Sequence, residues 1–389
     1  VGAGPAGSSA ALHLSYAGIP SVIVDKAIFP RDKVCGDGIS GRIPELLREL
    51  DPALYERFHQ HADIHIGTWG VRFFAHDSNI LEAPFYSGYD TKNHRPPGYI
   101  CRRTDFDLFF VNEMKRRNNI SFHDNIRIEH FQRTDGGFII SNKDGSFKLQ
   151  AKLLIMADGA DSAFSRRYVG NPVLPAHNAA AVRGYFQHVE GFHGDNFVEF
   201  YFIDKVIPGY LWIFPHPNGT ANVGLGMRTD VISKRKVNLR TLLMDTLREH
   251  PLISPRFRNA VLVDDKLFGH SVPLGSKRRV RSGDHFLLAG DAAGLVDPLT
   301  GGGIANSFLS GRLAAEQAAK CLDQQEFSAS FMHAYDEKVH ARIGKAMQQS
   351  YLLQKLLQHS VLVRFVINFL SKRPRLFDRL SRLQMKLAK

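Results

Sequence analysis

The sequence predicts an α/β fold: a βαβ-based domain, an inserted antiparallel sheet and a helical C-terminal region. Three features predict it. The chain opens on a strand end, a glycine-rich turn and a helix. Residues 180–270 are rich in short apolar strands, and from Gly303 onward the apolar spacing is helical. At 389 residues the chain exceeds one ordinary core and fits two domains.

In chain order, Val1 ends the first strand and Gly2-x-Gly4-x-x-Gly7 forms the turn. Ser8 to Ala17 is a small-residue helix stopped by Gly18, and Pro20 to Asp25 is the next strand. A strand of usual length needs about four more residues before Val1, so the chain start is expected to be trimmed. Residues 51–100 mix His, Pro and aromatics and are expected to be an excursion from the first domain. Phe106, Phe109, Phe110 and Met114 predict a helix over Asp105–Arg117. Residues 120–156 predict short strands, with hairpin turns at Asp135-Gly136-Gly137 and Lys143-Asp144-Gly145 and a buried strand at Leu153–Met156. Strands are expected at Ala180–Val189, Phe197–Ile203, Gly209–Phe214, Asn222–Gly226 and Leu267–Pro273, with a helix near Asn238–Glu249. That pattern predicts an antiparallel sheet in a second domain. His285–Ala289 is a further buried strand, followed by a glycine-rich loop and a long helix from Gly303 to Leu322. The first domain is expected over 1–65, 98–175 and 274–325, the sheet domain over 66–97 and 176–273, and a helical region over 326–389.

A composition of 44% hydrophobic and 23% charged residues is that of a soluble globular protein. No run of about 18 apolar residues occurs, so no helix is expected to span a bilayer. Cys35, Cys101 and Cys321 form no C-x-x-C pair, so neither a zinc site nor a redox dithiol is indicated, and the chain reads as intracellular in a reducing compartment. The net charge of +12 is concentrated: from Lys338 to Lys389 twelve Lys and Arg face a single acid, Asp378. This is a basic tail on a nearly neutral body, suited to anionic head groups as well as to nucleic acid. A cytoplasmic protein at the inner face of the membrane, with no nucleic-acid partner, is expected.

The Gly2-x-Gly4-x-x-Gly7 turn lies between a strand and a helix, the context a Rossmann-type dinucleotide site requires. Its glycines let the backbone approach a pyrophosphate, and the helix start supplies unpaired N–H groups. Asp25 ends the second strand, where a carboxylate accepts ribose hydroxyls. Two further turns discriminate FAD from NAD. Gly290-Asp291 follows a buried strand and leads through Gly301-Gly302-Gly303 into a helix, whose start faces a flavin's N1–C2=O edge. Asp158-Gly159 ends another strand. Each turn alone is equally a capped turn; three in this order predict FAD.

The order of GxGxxG, Arg103-x-x-Phe106-Asp107, Asp158-Gly159 and Gly290-Asp291 resembles the flavoproteins grouped with para-hydroxybenzoate hydroxylase. Within them the chain is most similar to the geranylgeranyl reductase family. Phe29-Pro30-Arg31-Asp32-Lys33-Val34-Cys35-Gly36-Asp37-Gly38 is similar to that family's P-R-x-K-x-C-G-x-G segment. Tyr210-Leu211-Trp212-Ile213-Phe214-Pro215 matches its Y-x-W-x-F-P motif, with Asn222-Val223-Gly224-Leu225-Gly226 following. Pro208 lies two residues before Tyr210, where the family has proline three before. The resemblance covers about residues 1–320. It implies that Gly2, Gly4 and Gly7 hold the pyrophosphate and Asp25 the adenosine ribose. It also implies Arg103 against the phosphate or ribityl region and Asp291 at the ribityl chain or pyrophosphate. Gly301 and Gly302 would pass close to the isoalloxazine, with Cys35 and Gly36 near the ring. Tyr210 and Trp212 would line a prenyl cavity.

The implied activity is FAD-dependent reduction of isoprenoid double bonds. NAD(P)H or a carrier protein would be the reductant, and Cys35 the catalytic candidate. Plainer readings stand beside these roles. Tyr210, Trp212 and Phe214 share one strand face and fit a core, Cys35 fits a small buried residue, and Arg103 fits a surface helix start. His59, His61, Asp63 and His65 are read as a solvated segment, with His61 and His65 able to share a helix face, and no metal is assigned. Leu352, Leu353, Leu356, Leu357 and Val361, then Leu376, Leu380, Leu383 and Leu387 with Arg375, Arg379, Arg382 and Lys386, fit either a membrane-surface helix or one packed on the body. The rivals are a monooxygenase or a halogenase of the same fold and, from another class, a non-redox prenyl-lipid carrier. A halogenase is expected to carry W-x-W-x-I-P where this chain has Tyr210 to Pro215.

Overall fold

The Gly2 turn sits at the centre of a parallel sheet in the computed structural model, which describes residues 1–75, 80–86 and 88–373. Gly2 N donates to Val24 O at 2.7 Å, and Ala157 N donates to Val1 O at 2.8 Å. This short segment joins two parallel pairs, Ser21–Val24 with Ile120–His123 and Leu154–Met156 with Phe286–Leu288. Ser282–Gly283 closes the edge antiparallel. Leu154–Met156 and Phe286–Leu288 are continuous apolar runs, as a covered parallel sheet requires, whereas Val22 and Ser121 of the first pair are exposed. The helix Pro5–Tyr16 packs on the helix Ile304–Gln324 almost backbone to backbone: a Cβ on Gly311 would lie 2.2 Å from Ala6 O. The helix Arg103–Lys115 brings Phe106 and Phe110 against Phe308, with the Phe110–Phe308 rings 4.9 Å apart edge to face. A three-stranded meander, His130–Thr134, Gly137–Ser141 and Lys148–Ala151, turns at the two expected hairpins.

The inserted sheet has eight strands. Asn178–Gln187, Ala221–Arg228, Gly209–Pro215 and Val198–Tyr201 follow one another in it, and each pairing is antiparallel. Val198–Tyr201 then pairs parallel with Gly70–Phe74, so the sheet is mixed at the point where the 66–97 excursion joins it. Period-two alternation divides the work of Gly209–Pro215. Leu211 and Ile213 face the helix Leu239–Glu249 in a core with Val223, Leu225 and Leu243. Tyr210, Trp212 and Phe214 point the other way, with Phe200, toward the parallel-sheet domain.

Helices Arg42–Leu50 and Pro52–Gln60 precede the excursion. The second ends before His61, so His61 and His65 share no helix face. His65 lies on the strand His65–Thr68, buried, with Nε2 2.9 Å from Phe58 O and its ring 4.5 Å from that of Tyr99. The expected solvated segment is therefore solvated only around His61 and Asp63, because the strand carries His65 into the aromatic core. Among the described residues no group of His, Cys, Asp and Glu has the arrangement of a metal site, and no helix is long and apolar enough to cross a membrane. Ala329–Val339, Lys345–Leu356 and Ser360–Ser371 are the last helices among the described residues. The Leu376, Leu380, Leu383 and Leu387 stripe lies outside the described residues.

Candidate cofactor and substrate site

One cavity of about 1440 Å³ runs between the parallel-sheet domain and the inserted sheet. Its two ends differ in chemistry because different elements build them.

At one end, Gly2 has φ +96 and a Cβ there would lie 2.3 Å from Ala157 O, so the turn is closed to any other residue. At Gly4 the nearest atom to a Cβ would be Arg31 Nη2 at 3.6 Å, which leaves the backbone open to a ligand. Gly7 lies behind this wall, its Cβ position 1.8 Å from Gly2 O, and serves the close packing of helix on strand. Gly290 also lies behind the wall, its Cβ position 2.9 Å from Ser307 Oγ. The helices Pro5–Tyr16 and Ile304–Gln324 both begin at this cavity, after Gly4 and Gly303, and neither has a side-chain cap. Two sets of unpaired N–H groups and two partial positive charges thus face one space.

Carboxylates stand around them. Asp25 accepts from Ala3 N at 2.7 Å and Ala27 N at 2.8 Å, which fixes the side chain at the cavity wall. Burial pushes the Asp158 carboxyl up, a Ser162 hydrogen bond opposes that shift, and its Oδ1 has no partner. A buried oxygen without a donor is costly, and this one borders the cavity. Asp291 meets Lys33 Nζ only at 3.5 Å.

Arg103 lines the cavity and is buried rather than at the surface. Its Nε and Nη2 bond both oxygens of Asp107 at 3.0 and 2.8 Å, one helical turn on. Arg31 Nη1 shares the same carboxylate at 2.9 Å. Two guanidiniums on one carboxylate leave this wall positive. Burial disfavours the Arg103 cation, but Asp107 and the neighbouring Cys35 sulfur more than compensate, so its pKa lies above the ordinary arginine value. Cys35 is a free, half-buried thiol on the cavity wall.

The other end is aromatic. Tyr210 donates to Thr300 O, and its ring meets Phe200 edge to face at 5.0 Å. Burial, with Asp297 and Cys35 nearby, pushes its phenol up, so it stays protonated. Trp212 lies flat across Gly224, where a Cβ would be 2.3 Å from Cζ2. Gly36 and Gly38 let the Cys35 loop pass over Phe214, each Cβ position being 3.1 Å from its Cε2. Gly301 and Gly302 lie on the cavity wall in a loop that Asp297 folds by accepting from Leu299 N at 3.0 Å and Thr300 N at 2.8 Å.

Sequence reasoning missed the polar scaffold behind this wall. Asp37 is fully buried at φ +66. Its Oδ2 accepts from Tyr185 OH at 2.6 Å and Asn222 Nδ2 at 2.7 Å, and its Oδ1 from Arg103 N at 3.3 Å. His216 Nε2 lies 3.3 Å from the same Oδ2. Asn222 also donates to Cys35 O at 2.8 Å and accepts from Trp212 Nε1 at 2.9 Å. Asp37 and Asn222 stand inside segments that resemble the reductase motifs, and Asp107 inside the Arg103-x-x-Phe106-Asp107 segment of the wider flavoprotein group. For Asp107, its i,i+4 spacing from Arg103 was the available signal.

The residues present fit a flavin dinucleotide. They offer an open glycine backbone, two uncapped helix starts, a partnerless buried carboxyl oxygen and a cavity of about 1440 Å³. Known proteins agree. A model of the FAD binding domain matches residues 1–190, and a model of the geranylgeranyl reductase catalytic domain matches residues 179–261. The chain is 30% identical over 367 residues to digeranylgeranylglycerophospholipid reductase 2 of Methanopyrus kandleri, covering 92% of this chain and 85% of that protein. It is 29% identical over 343 residues to digeranylgeranylglycerophospholipid reductase 1 of Methanosphaera stadtmanae, covering 87% and 78%. Among solved structures, a geranylgeranyl bacteriochlorophyll reductase-like protein from Thermoplasma acidophilum superposes with a TM-score of 0.82 at 23% identity, over 96% of this chain and 90% of that one. A flavin-dependent brominase superposes with a TM-score of 0.77 at 19% identity, over 98% and 91%, which shows a shared fold.

Proposed function

The chain belongs to the geranylgeranyl reductase family of FAD-dependent oxidoreductases acting on isoprenoid lipids, and on that premise we propose that it reduces carbon–carbon double bonds of a geranylgeranyl-type lipid. What supports this reading is one cavity lined both by the glycine-rich turns with their helix starts and by the aromatic strand face, with Cys35 and Arg103 also on its wall.

FAD would be held at its pyrophosphate by Gly2, Gly4 and the start of the Pro5–Tyr16 helix, and at its adenosine ribose by Asp25. Arg103 and Asp291 would bind along the ribityl and phosphate region, and Gly301 and Gly302 would leave room for the isoalloxazine. When bound and reduced, this cofactor supplies the hydride that an alkene carbon accepts. The chain's own residues do the rest. Tyr210 and Trp212 offer flat apolar surfaces that orient a prenyl chain and keep water out. The positive wall of Arg103 and Arg31 over Asp107 stabilises negative charge beside them. The Cys35 thiol, on the cavity wall, would hold at Sγ the proton that the second alkene carbon needs. NAD(P)H is the proposed transient reductant.

The test is anaerobic. Purified holoprotein reduced with dithionite is given a geranylgeranylated lipid, and the product is weighed by mass spectrometry. A gain of two hydrogens per reduced double bond is expected, and NADPH in place of dithionite should bleach the visible flavin absorbance. Unchanged lipid under nitrogen, with hydroxylated product in air, would replace the reductase reading with a monooxygenase one. A colourless protein that takes up no FAD would leave a lipid carrier.

A further inference from the structure

The helix Ser360–Ser371 is apolar on two sides. Val363 and Ile367 are buried with Ala75, Leu81 and Ile207. On the opposite side Val361 is 74% exposed and Phe365 63% exposed, and the Phe365 and Phe369 rings stack at 6.0 Å. The preceding helix, Lys345–Leu356, adds two more exposed apolar residues, Leu352 and Leu356, both about 60% exposed. Six of the fifteen large hydrophobic residues exposed among the described residues fall between Leu352 and Phe369. Such a concentration marks an interaction surface, whereas single exposed apolar residues do not.

Charge identifies the occupant. From Lys338 to Arg373 the sequence has no Asp or Glu. Lys355, Lys372 and Arg373 are exposed around the apolar patch, Arg373 lying 4.0 Å over the Phe369 ring. An apolar face rimmed by cations suits an anionic bilayer. Residues 374–389, themselves basic, would bring like charge to the same place, and so would a second copy of the chain.

Position connects this face to the cavity. Leu353 is exposed on it and also lines the cavity, and Leu357 packs with the Val363 cluster and lines the cavity too. Gln354, between them, donates to Pro298 O in the loop that carries Gly301. We propose that the outer faces of the Lys345–Leu356 and Ser360–Ser371 helices dock on an anionic phospholipid bilayer, so that an isoprenoid chain passes from the membrane between Leu353 and Leu357 into the cavity without crossing water. The route into the cavity rests on the isoprenoid-lipid reading above, while the docking rests on the surface alone.

The test uses FAD-loaded full-length protein and two kinds of vesicle, phosphatidylcholine alone and an equimolar mixture with phosphatidylglycerol. Wild type is expected to co-sediment with the mixed vesicles and much less with phosphatidylcholine. Losing one buried Leu or Phe from a bilayer weakens partitioning by about ten- to hundredfold. The double variant Leu356→Gln, Phe365→Gln should lose at least that much binding and the same factor of turnover on vesicle-embedded lipid. Its flavin spectrum and its turnover of detergent-solubilised lipid should match wild type. Equal vesicle binding by the two proteins would overturn the proposal. So would a wild-type dimer that the double variant dissociates, with no vesicle binding by either. If neither protein turns over detergent-solubilised lipid, the reductase reading fails instead, and the sedimentation result still decides the docking.

Discussion

Replacing Asp37 should unsettle the molecule far more than its short side chain suggests. In Asp37→Ala the half-buried Tyr185 hydroxyl and one buried Asn222 N–H lose their acceptor. Each buried donor left unpaired costs about 1–3 kcal/mol. Alanine must also adopt the φ of +66 that Asp tolerates, at a further cost of about 1–2 kcal/mol. The expected loss is about 3–8 kcal/mol, a large part of a domain's stability. Asp37→Asn keeps one oxygen for Tyr185 and Asn222 and tolerates the backbone, but turns an amide N–H toward Arg103 N–H. It should lose only about 1–2 kcal/mol. Urea denaturation of FAD-loaded proteins, followed by circular dichroism and flavin fluorescence and compared at a common slope, measures both. An alanine variant within about 1 kcal/mol of wild type, or an asparagine variant as damaged as alanine, would refute the account of Asp37 as the acceptor that ties the Cys35 loop to the inserted sheet.

Gly7→Ala places a Cβ 1.8 Å from Gly2 O and should abolish FAD retention, read from the flavin-to-protein ratio after desalting. Gly4→Ala meets only Arg31 Nη2 at 3.6 Å; it should keep the fold and weaken FAD binding about tenfold, about 1.4 kcal/mol by titration. Gly224→Ala puts a Cβ 2.3 Å from both Trp212 Cζ2 and the Val182 carbonyl oxygen, so strand and indole should shift together, costing about 1–3 kcal/mol of stability and raising the lipid KM; Trp212 fluorescence in a Trp69→Phe background reports the movement. Burial lowers the pKa of His13, His65 and His270 below the ordinary 6.5. As the pH drops below about 6.5, the unfolded chain takes up protons that the folded one does not. The stability these histidines contribute is therefore complete above that pH and falls on acidification toward the folded values, with a slope of about 1.4 kcal/mol per pH unit for each histidine. Melting temperatures that rise on acidification through that window would contradict the assignment.

Local pattern carried much of the fold. Gly2, Gly4 and Gly7 announced a strand–turn–helix, and the alternation Tyr210, Trp212, Phe214 announced one strand face. Both are short-range facts that the backbone period fixes. What eluded the sequence is long-range. Asp37 meets Tyr185 and Asn222 across 148 and 185 residues, and no spacing rule encodes such a pair. The parallel pairing of Val198–Tyr201 with Gly70–Phe74 depends on which edge of the sheet the excursion reaches. His65 looked solvated beside charged neighbours because its burial comes from Phe58 and Tyr99. The apolar periodicity of residues 352–361 was legible, but only the packing of Val363 and Ile367 shows which side of the last helix remains uncovered.

The alternation along Gly209–Pro215 has an evolutionary corollary. Leu211 and Ile213 answer to the sheet's own helix, while Tyr210 and Trp212 face the cavity. A lineage can therefore recontour the chamber at every second residue of one strand, accommodating a longer, bulkier or more polar molecule, while the residues between go on holding the scaffold.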